Sequence, residues 1–299
     1  MLPNPKLLVI LGPTASGKSA LGVSLARKFN GEIISADSRQ VYRGLNIGAG
    51  KITKKEMRGV PHHLLDVANL KKRFSVVEFQ KLAREKISEI FSRGHLPIIV
   101  GGAGFYISAL VDNIVLPDVP PNQKLRARLI GKTPETLINM LMKLDSSRAK
   151  TVDPKNSRRI IRAIEIATAL PKVPTIISAP KYDALQIGLK LKPALLKEKI
   201  NNRLKARVKL GMIAEAKKLH AQGLSWKRMD ELGLEYRYLG KHLKNEISKI
   251  KMIELLGTEI WRYAKRQMTW FKRDKRINWV APKNFSKIHK YIRNFLKQQ

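Results

Sequence analysis

The first apolar run, LLVILG at 7–12, is continuous rather than alternating and ends on glycine, as expected of a strand buried on both faces. A helix from Ser19 to Phe29 follows, then a second apolar stretch, EIISAD at 32–37, that reads as another strand. Ser75 with Glu78 three residues on makes a capping box, and Val76, Phe79, Ala83, Ile87 and Ile90 then recur at helical spacing. Gly94 and Pro97 stop that helix. LPIIVGG at 96–102 reads as a strand, and LQIGLKL at 185–191 as a later one. Strands separated by helices predict an α/β fold around a parallel sheet.

Prolines cluster at LPDVPP (116–121) and PKVPTIISAP (171–180), and the segment between them is helical and basic with no good strand. The expected organisation is a core of 1–118 and 184–299, its C-terminal part helical and basic, interrupted by an inserted helical subdomain at 119–183. No internal repeat is visible.

Composition narrows the function. Of the 299 residues 43% are hydrophobic, enough for a packed core, yet no run of about 18 uncharged apolar residues exists to cross a bilayer. The first ten residues lack a signal-peptide pattern, and zero cysteines exclude disulfides, thiolate zinc sites and a catalytic thiol. A cytoplasmic monomer without membrane contact is therefore expected. Lysine and arginine total 59 against 23 acidic residues, a net charge of +36. Such a field favours a polyanionic partner, with a lysine-rich solvated surface as the alternative.

Gly12-Pro13-Thr14-Ala15-Ser16-Gly17-Lys18-Ser19 fits G-x-x-x-x-G-K-[ST] between a predicted strand and a predicted helix. Glycines let backbone N–H groups turn toward phosphate oxygens at a helix N-terminus, Lys18 adds positive charge, and the Ser19 hydroxyl is placed to reach Mg2+. The fold is accordingly P-loop NTPase-like. The strand LPIIV, however, runs into Gly101 and Gly102 where such enzymes carry a metal-holding acid, leaving Asp66 as the substitute. His62 and His63 are adjacent and lack a completing ligand set, so a structural role is assigned to them.

Three strand ends carry unusual sequence: GPTASGKS, ADSRQVY and GGAGFY. Ligands of open parallel sheets bind at the carboxyl ends of strands, so these segments are expected to share one site, with Asp37 facing the phosphate loop. A turn-capping role for Asp37 is the competing reading.

GPTASGKS, ADSRQVYRGLNIGAGK (36–51), PHHLLDV (61–67), VGGAGFYISAL (100–110), DPKNSRRIIRAIEI (153–166) and AKRQMTWFKR (264–273) occur in one order and together resemble the tRNA dimethylallyltransferase family across nearly the whole chain. The resemblance implies transfer of a dimethylallyl group from dimethylallyl diphosphate to N6 of the adenosine on the 3′ side of a tRNA anticodon, with diphosphate departing and Mg2+ as cofactor. It implies Asp37 as catalytic base, the loop 12–19 with Thr14 as the donor's diphosphate cradle, and Arg207 as a second diphosphate ligand. Contacts to the tRNA anticodon stem-loop are implied for Asp37, Ser38, Arg39, Gln40, Arg126, Arg158, Arg159, Arg162, Arg237, Lys265, Arg266, Gln267 and Trp270.

Trp261, Ala264, Met268 and Phe271 share a spacing that should pack inward, while Tyr263, Arg266 and Trp270 form a neighbouring stripe suited to stacking on bases. Two departures stand out. Ala103 takes the place of a family threonine near the diphosphate, leaving only its backbone N–H and implying compensation or a slower chemical step. LGLEYRYLG (232–240) replaces the family's V-G-Y-R-E and leaves Arg237 as the counterpart of its arginine. Two alternatives stay open: a P-loop transferase prenylating free adenine nucleotides, and an RNA-binding homologue with weakened catalysis.

Overall fold

The protein is described by a computed structural model, which defines residues 5–170 and 180–298. In chain order the first elements are β1 (Lys6–Leu11), α1 (Lys18–Lys28), β2 (Gly31–Ala36), α2 (Lys54–Met57), β3 (His62–His63), α3 (Val76–Ser92), β4 (Leu96–Gly101) and α4 (Gly104–Val111). Four helices come next: α5 (Gln123–Leu129), α6 (Pro134–Leu144), α7 (Ser146–Thr151) and α8 (Ser157–Ala169). The chain then adds β5 (Asp183–Leu189), α9 (Pro193–Lys209), α10 (Met212–Ala221), α11 (Trp226–Leu232), α12 (Leu234–Leu243), α13 (Lys249–Phe271), β6 (Asn278–Val280) and α14 (Phe285–Lys297).

One six-stranded sheet has the order β3-β2-β4-β1-β5-β6, with every paired strand parallel. The α/β expectation is met. β1 and β4 lie inside the sheet and are buried throughout or nearly so, which accounts for their unbroken apolar runs. One face packs Leu7, Val9 and Ile99 against Phe79, Ala83 and Ile87 of α3 and Ile107 of α4. The other packs Leu8, Ile10 and Ile98 against α1 and against Ile288 and Ile292 of α14. Beyond β5, helices α9–α13 build a separate apolar cluster around Leu204, Met229, Tyr236 and Leu256.

The described residues fall into two compact units, one drawn from Met1–Asn113 and Pro180–Gln299, the other from Ile114–Ala179. The second unit holds α5–α8 around Leu137, Leu141, Ile160 and Ile164. The joint PKVPTIISAP lies outside the described residues except for Pro180.

Two strands escape the sequence pattern. β3 has two residues and β6 three, too short to show a period, and both are edge strands completed by their neighbours. The inward stripe of α13 is also shifted by one position: Ala264 and Phe271 are buried as expected, but Gln267 is buried too, while Trp261 and Met268 are only half-buried.

The histidine pair is structural. His62 Nδ1 lies 2.8 Å from the Val60 carbonyl oxygen, and His63 Nε2 lies 2.6 Å from Glu32 Oε2. His95 and Arg93 close on the same carboxylate at 2.7 and 2.9 Å, tying the start of β2 to β3 and to the α3–β4 turn. Burial alone would raise the Glu32 carboxyl, but hydrogen bonds from Arg93, His63 and His95 outweigh it and hold it at about 2.

A depressed carboxylate stabilises the fold above its unfolded pKa and loses that contribution as pH falls through its folded one. Glu32 therefore contributes fully above about 4.5 and progressively less down to about 2. Glu32→Gln is expected to lower stability by about 1–3 kcal/mol at neutral pH and to flatten the decline between those pH values, as measured by denaturant unfolding at several pH values.

Candidate functional site

Register brings the three unusual strand ends together. Leu11 of β1 pairs with Gly101 of β4, and Gly101 pairs with Ala36 of β2, so Gly12, Gly102 and Asp37 leave the sheet from one row. A side chain at Gly101 would overlap the Ala36 backbone, so glycine is required for strands this close.

The phosphate loop is built by its backbone. Gly12 takes φ 140° and a Cβ there would lie 2.9 Å from the Leu189 carbonyl oxygen; Ala15 and Gly17 are also left-handed, at φ 61° and 95°. Gly17 caps α1 without a side-chain hydrogen bond, so the N–H groups of the first helical turn keep no intrahelical partner, the arrangement that suits an anion. Lys18 Nζ curls back to the Pro13 carbonyl oxygen at 2.6 Å. Ser16 is buried, and its hydroxyl has no partner among the described residues.

Thr14, Lys18 and Ser19 line a cavity of about 140 Å³ together with Asp37, Ser38, Arg39, Gln40, Gly101 and Gly102. Its other wall comes from the helical half of the same unit, as Arg203 and Arg207 of α9, Glu235 of α12, and Tyr263 and Gln267 of α13. Asp37 combines both roles weighed for it. Its Oδ1 accepts the N–H groups of Arg39 at 2.8 Å and Gln40 at 3.2 Å, a turn cap that leaves Oδ2 without a hydrogen-bond partner among the described residues.

Cations dominate. Burial, and then the nearby Arg203 charge, push the Lys18 ammonium down to about 7, against an opposing pull from Asp37. Burial and the neighbouring Arg207 lower Arg203 to about 10. Arg207 Nη1 lies 3.2 Å from Glu235 Oε1 and donates to the Gly48 carbonyl oxygen at 3.3 Å. Burial raises the Glu235 carboxyl and the Tyr263 hydroxyl above their ordinary values. Such a pocket is short of negative charge.

Other expected site residues lie elsewhere. Gln267 sits inside, accepting the Thr14 N–H at 2.8 Å and donating to the Gly102 carbonyl oxygen at 2.8 Å, so its amide joins the phosphate loop to β4. Trp270 rests over Gly104, where any Cβ would strike the indole. Lys265 and Arg266 are exposed, each poised over an aromatic neighbour, Trp261 at 5.9 Å and Tyr263 at 6.0 Å. Tyr263, under Arg266, also lines the cavity.

Arg237 pairs with Asp230 at 2.7 Å and does not line the cavity. In the second unit, Arg158 and Arg159 are exposed. Arg126 and Arg162 instead close on the fully buried carboxylate of Glu165, at 2.7 and 3.3 Å. Ala103 does not line the cavity either. Its methyl packs on the core and its N–H is spent on the Ala36 carbonyl oxygen at 3.2 Å, so that N–H is not available to a diphosphate.

Asp66 does not replace the absent acid: it pairs with Lys51 at 2.5 Å and stands off the cavity. Among the described residues no three histidine, aspartate or glutamate side chains converge as a metal site. Arg203 and Glu235 are additions that the sequence did not single out as site residues. Arg203 precedes Arg207 by four positions on one helical face, a signal that could have paired them.

The same arrangement of loops and helices occurs in known proteins. The tRNA isopentenylpyrophosphate transferase of Bacillus halodurans superposes with a TM-score of 0.75 at 37% identity, covering 98% of this chain and 97% of that one. A eukaryotic dimethylallyltransferase acting on tRNA gives 0.82 at 26% identity, covering 97% and 77%. A protein described as tRNA dimethylallyltransferase 2 from Citrifermentans bemidjiense is 42% identical over 280 residues, 92% of this chain and 90% of its own. Residues 40–274 match the IPP transferase family, a span that begins three residues after Asp37 and runs past the cavity-lining helix α13, and the chain belongs to that family.

Proposed function

We propose that this protein transfers the dimethylallyl group of dimethylallyl diphosphate to N6 of the adenosine 3′-adjacent to a tRNA anticodon and releases diphosphate. The observation that carries the reading is the convergence of the phosphate loop, the half-free Asp37 carboxylate and the Arg203–Arg207 pair on one cavity. Family membership supports it.

The donor's diphosphate lies on the N–H groups at the start of α1, beside Lys18, Arg203 and Arg207. As the allylic carbon–oxygen bond breaks, its electron pair goes to the diphosphate, and these fixed positive groups stabilise the growing charge. The allylic carbon bonds to N6, whose proton passes to Asp37 Oδ2, the oxygen that the turn leaves open. Ser38, Arg39 and Gln40 line the same cavity and are placed to hold the target base, which must leave its stack to enter.

The residues present fit Mg2+ as an ion held by the Ser19 hydroxyl, donor phosphate oxygens and water, the ligand mix that this ion favours over an all-protein cage. When bound, it supplies further neutralisation of the leaving diphosphate. Gln267 acts here through the loop that it pins rather than by touching RNA. Arg158, Arg159, Lys265 and Arg266, all exposed, are the stronger candidates for phosphate contacts.

Incubation with Mg2+, dimethylallyl diphosphate and unmodified tRNA is expected to yield prenylated adenosine by nucleoside mass spectrometry, and Asp37→Ala to slow its formation by about 10²- to 10⁴-fold. RNA binding without product would sink the transferase reading in favour of a silent binder. Product on free adenine nucleotides alone would favour the small-molecule transferase.

Binding to an anticodon stem-loop is expected to weaken steeply as salt rises. Arg158→Ala combined with Arg159→Ala should reduce the slope of log affinity against log salt by about 1 to 2. An unchanged slope would remove both from the RNA interface.

A further inference from the structure

Glu215, in the first turn of α10, lies outside every motif singled out in the sequence and does not line the cavity. Its carboxylate nevertheless accepts four hydrogen bonds. Oε2 takes the N–H groups of Asn46 at 3.1 Å and Ile47 at 2.7 Å, and Oε1 takes the Gly48 N–H at 3.0 Å and the Tyr236 hydroxyl at 2.8 Å. Three successive backbone N–H groups folded around one anion form a nest, and a negative charge near a helix N-terminus is itself favoured.

The loop so gripped leads directly to the arginines. The Gly48 carbonyl oxygen accepts from Arg207 Nη1 at 3.3 Å, and the Gly50 carbonyl oxygen accepts from Arg203 Nη2 at 3.2 Å and from Gln40 Nε2 at 3.2 Å. There is no slack on either side. A Cβ at Gly48 would lie 2.6 Å from the Tyr236 hydroxyl oxygen, and one at Gly50 would overlap the Arg207 guanidinium.

Two guanidiniums held side by side repel, and Glu235 attracts only one of them closely. The loop carbonyls supply the remaining restraint. They direct both charges toward the cavity that holds Lys18 and Ser19.

We propose that Glu215 is a positioning residue for donor binding: it fixes the 46–50 loop, whose carbonyls aim Arg203 and Arg207 at the diphosphate. This rests on the reading of the cavity as a diphosphate site.

Glu215→Gln keeps the side-chain shape but turns one acceptor oxygen into an NH2 group that faces donors. With Mg2+ present, its affinity for inorganic diphosphate, measured by calorimetry, is expected to fall about tenfold, and KM for dimethylallyl diphosphate to rise about as much, with kcat within about twofold. Affinity for the anticodon stem-loop should stay unchanged. Tyr236→Phe removes one of the four bonds and should move diphosphate affinity the same way by about threefold.

A folded Glu215→Gln protein with unchanged diphosphate affinity overturns the proposal, as does a fall in kcat at constant KM, the mark of a merely structural loss. If Glu215→Gln does not fold, unchanged diphosphate binding in Tyr236→Phe overturns it instead. Should the wild-type protein bind diphosphate yet never prenylate tRNA, the functional reading fails, while the calorimetric comparison still decides the role of Glu215.

Discussion

Everything at the site depends on three parallel strands ending level. β1, β4 and β2 stop in one row at Leu11, Gly101 and Ala36, and the side-chain-free Gly101 lets them pack without a gap at that edge. A shift of one residue in β4 would remove Gly101 from that row and turn the alternating side chains over. Level ends let a phosphate loop, a carboxylate turn and a glycine turn share a cavity of about 140 Å³ rather than three separate crevices.

The helical half then sets the cavity's electrostatics. Lys18, Arg203 and Arg207 are drawn together against Asp37 and Glu235, and burial lowers Lys18 to about 7 and Arg203 to about 10 while raising Glu235. Each shift is in the direction of the neutral form, so the pocket holds its charges at a cost. A bound anion offsets that cost for the cations, because a nearby negative charge favours the charged form of Lys18 and Arg203.

What the sequence revealed was local. The strand–loop–helix from Lys6 to Lys28 and the capping box at Ser75 are each encoded within a few residues, and both form as the pattern predicts. β3 and β6 were illegible because strands of two and three residues owe their existence to hydrogen bonds from β2 and β5. The site divided in the same way. Thr14, Lys18, Ser19 and Asp37 belong to contiguous motifs, whereas Glu235 and Tyr263 reach the cavity from helices more than two hundred residues downstream of the phosphate loop. The ion pairs within the basic helices were not legible either: Glu165, recognisable only as one more charge in its helix, takes up Arg126 and Arg162. Ala103 misled for a related reason, since the partner of its N–H is a carbonyl two strands' worth of chain away, on Ala36.

The acid missing after LPIIV now has a steric explanation. Gly101 is closed off by the Ala36 backbone, and at Gly102 a Cβ would run into the Gln267 amide that reaches across to pin Thr14. No carboxylate fits at either position without expelling the side chain that holds the phosphate loop in place. A P-loop enzyme that splits a nucleotide needs an anion there to hold its metal. Here the space is given to a neutral amide, and among the described residues the carboxylates on the cavity wall are Asp37, fixed by two backbone N–H groups, and Glu235, paired with Arg207. The packing that secures the loop thus occupies the position where nucleotide-splitting P-loop enzymes carry that acid.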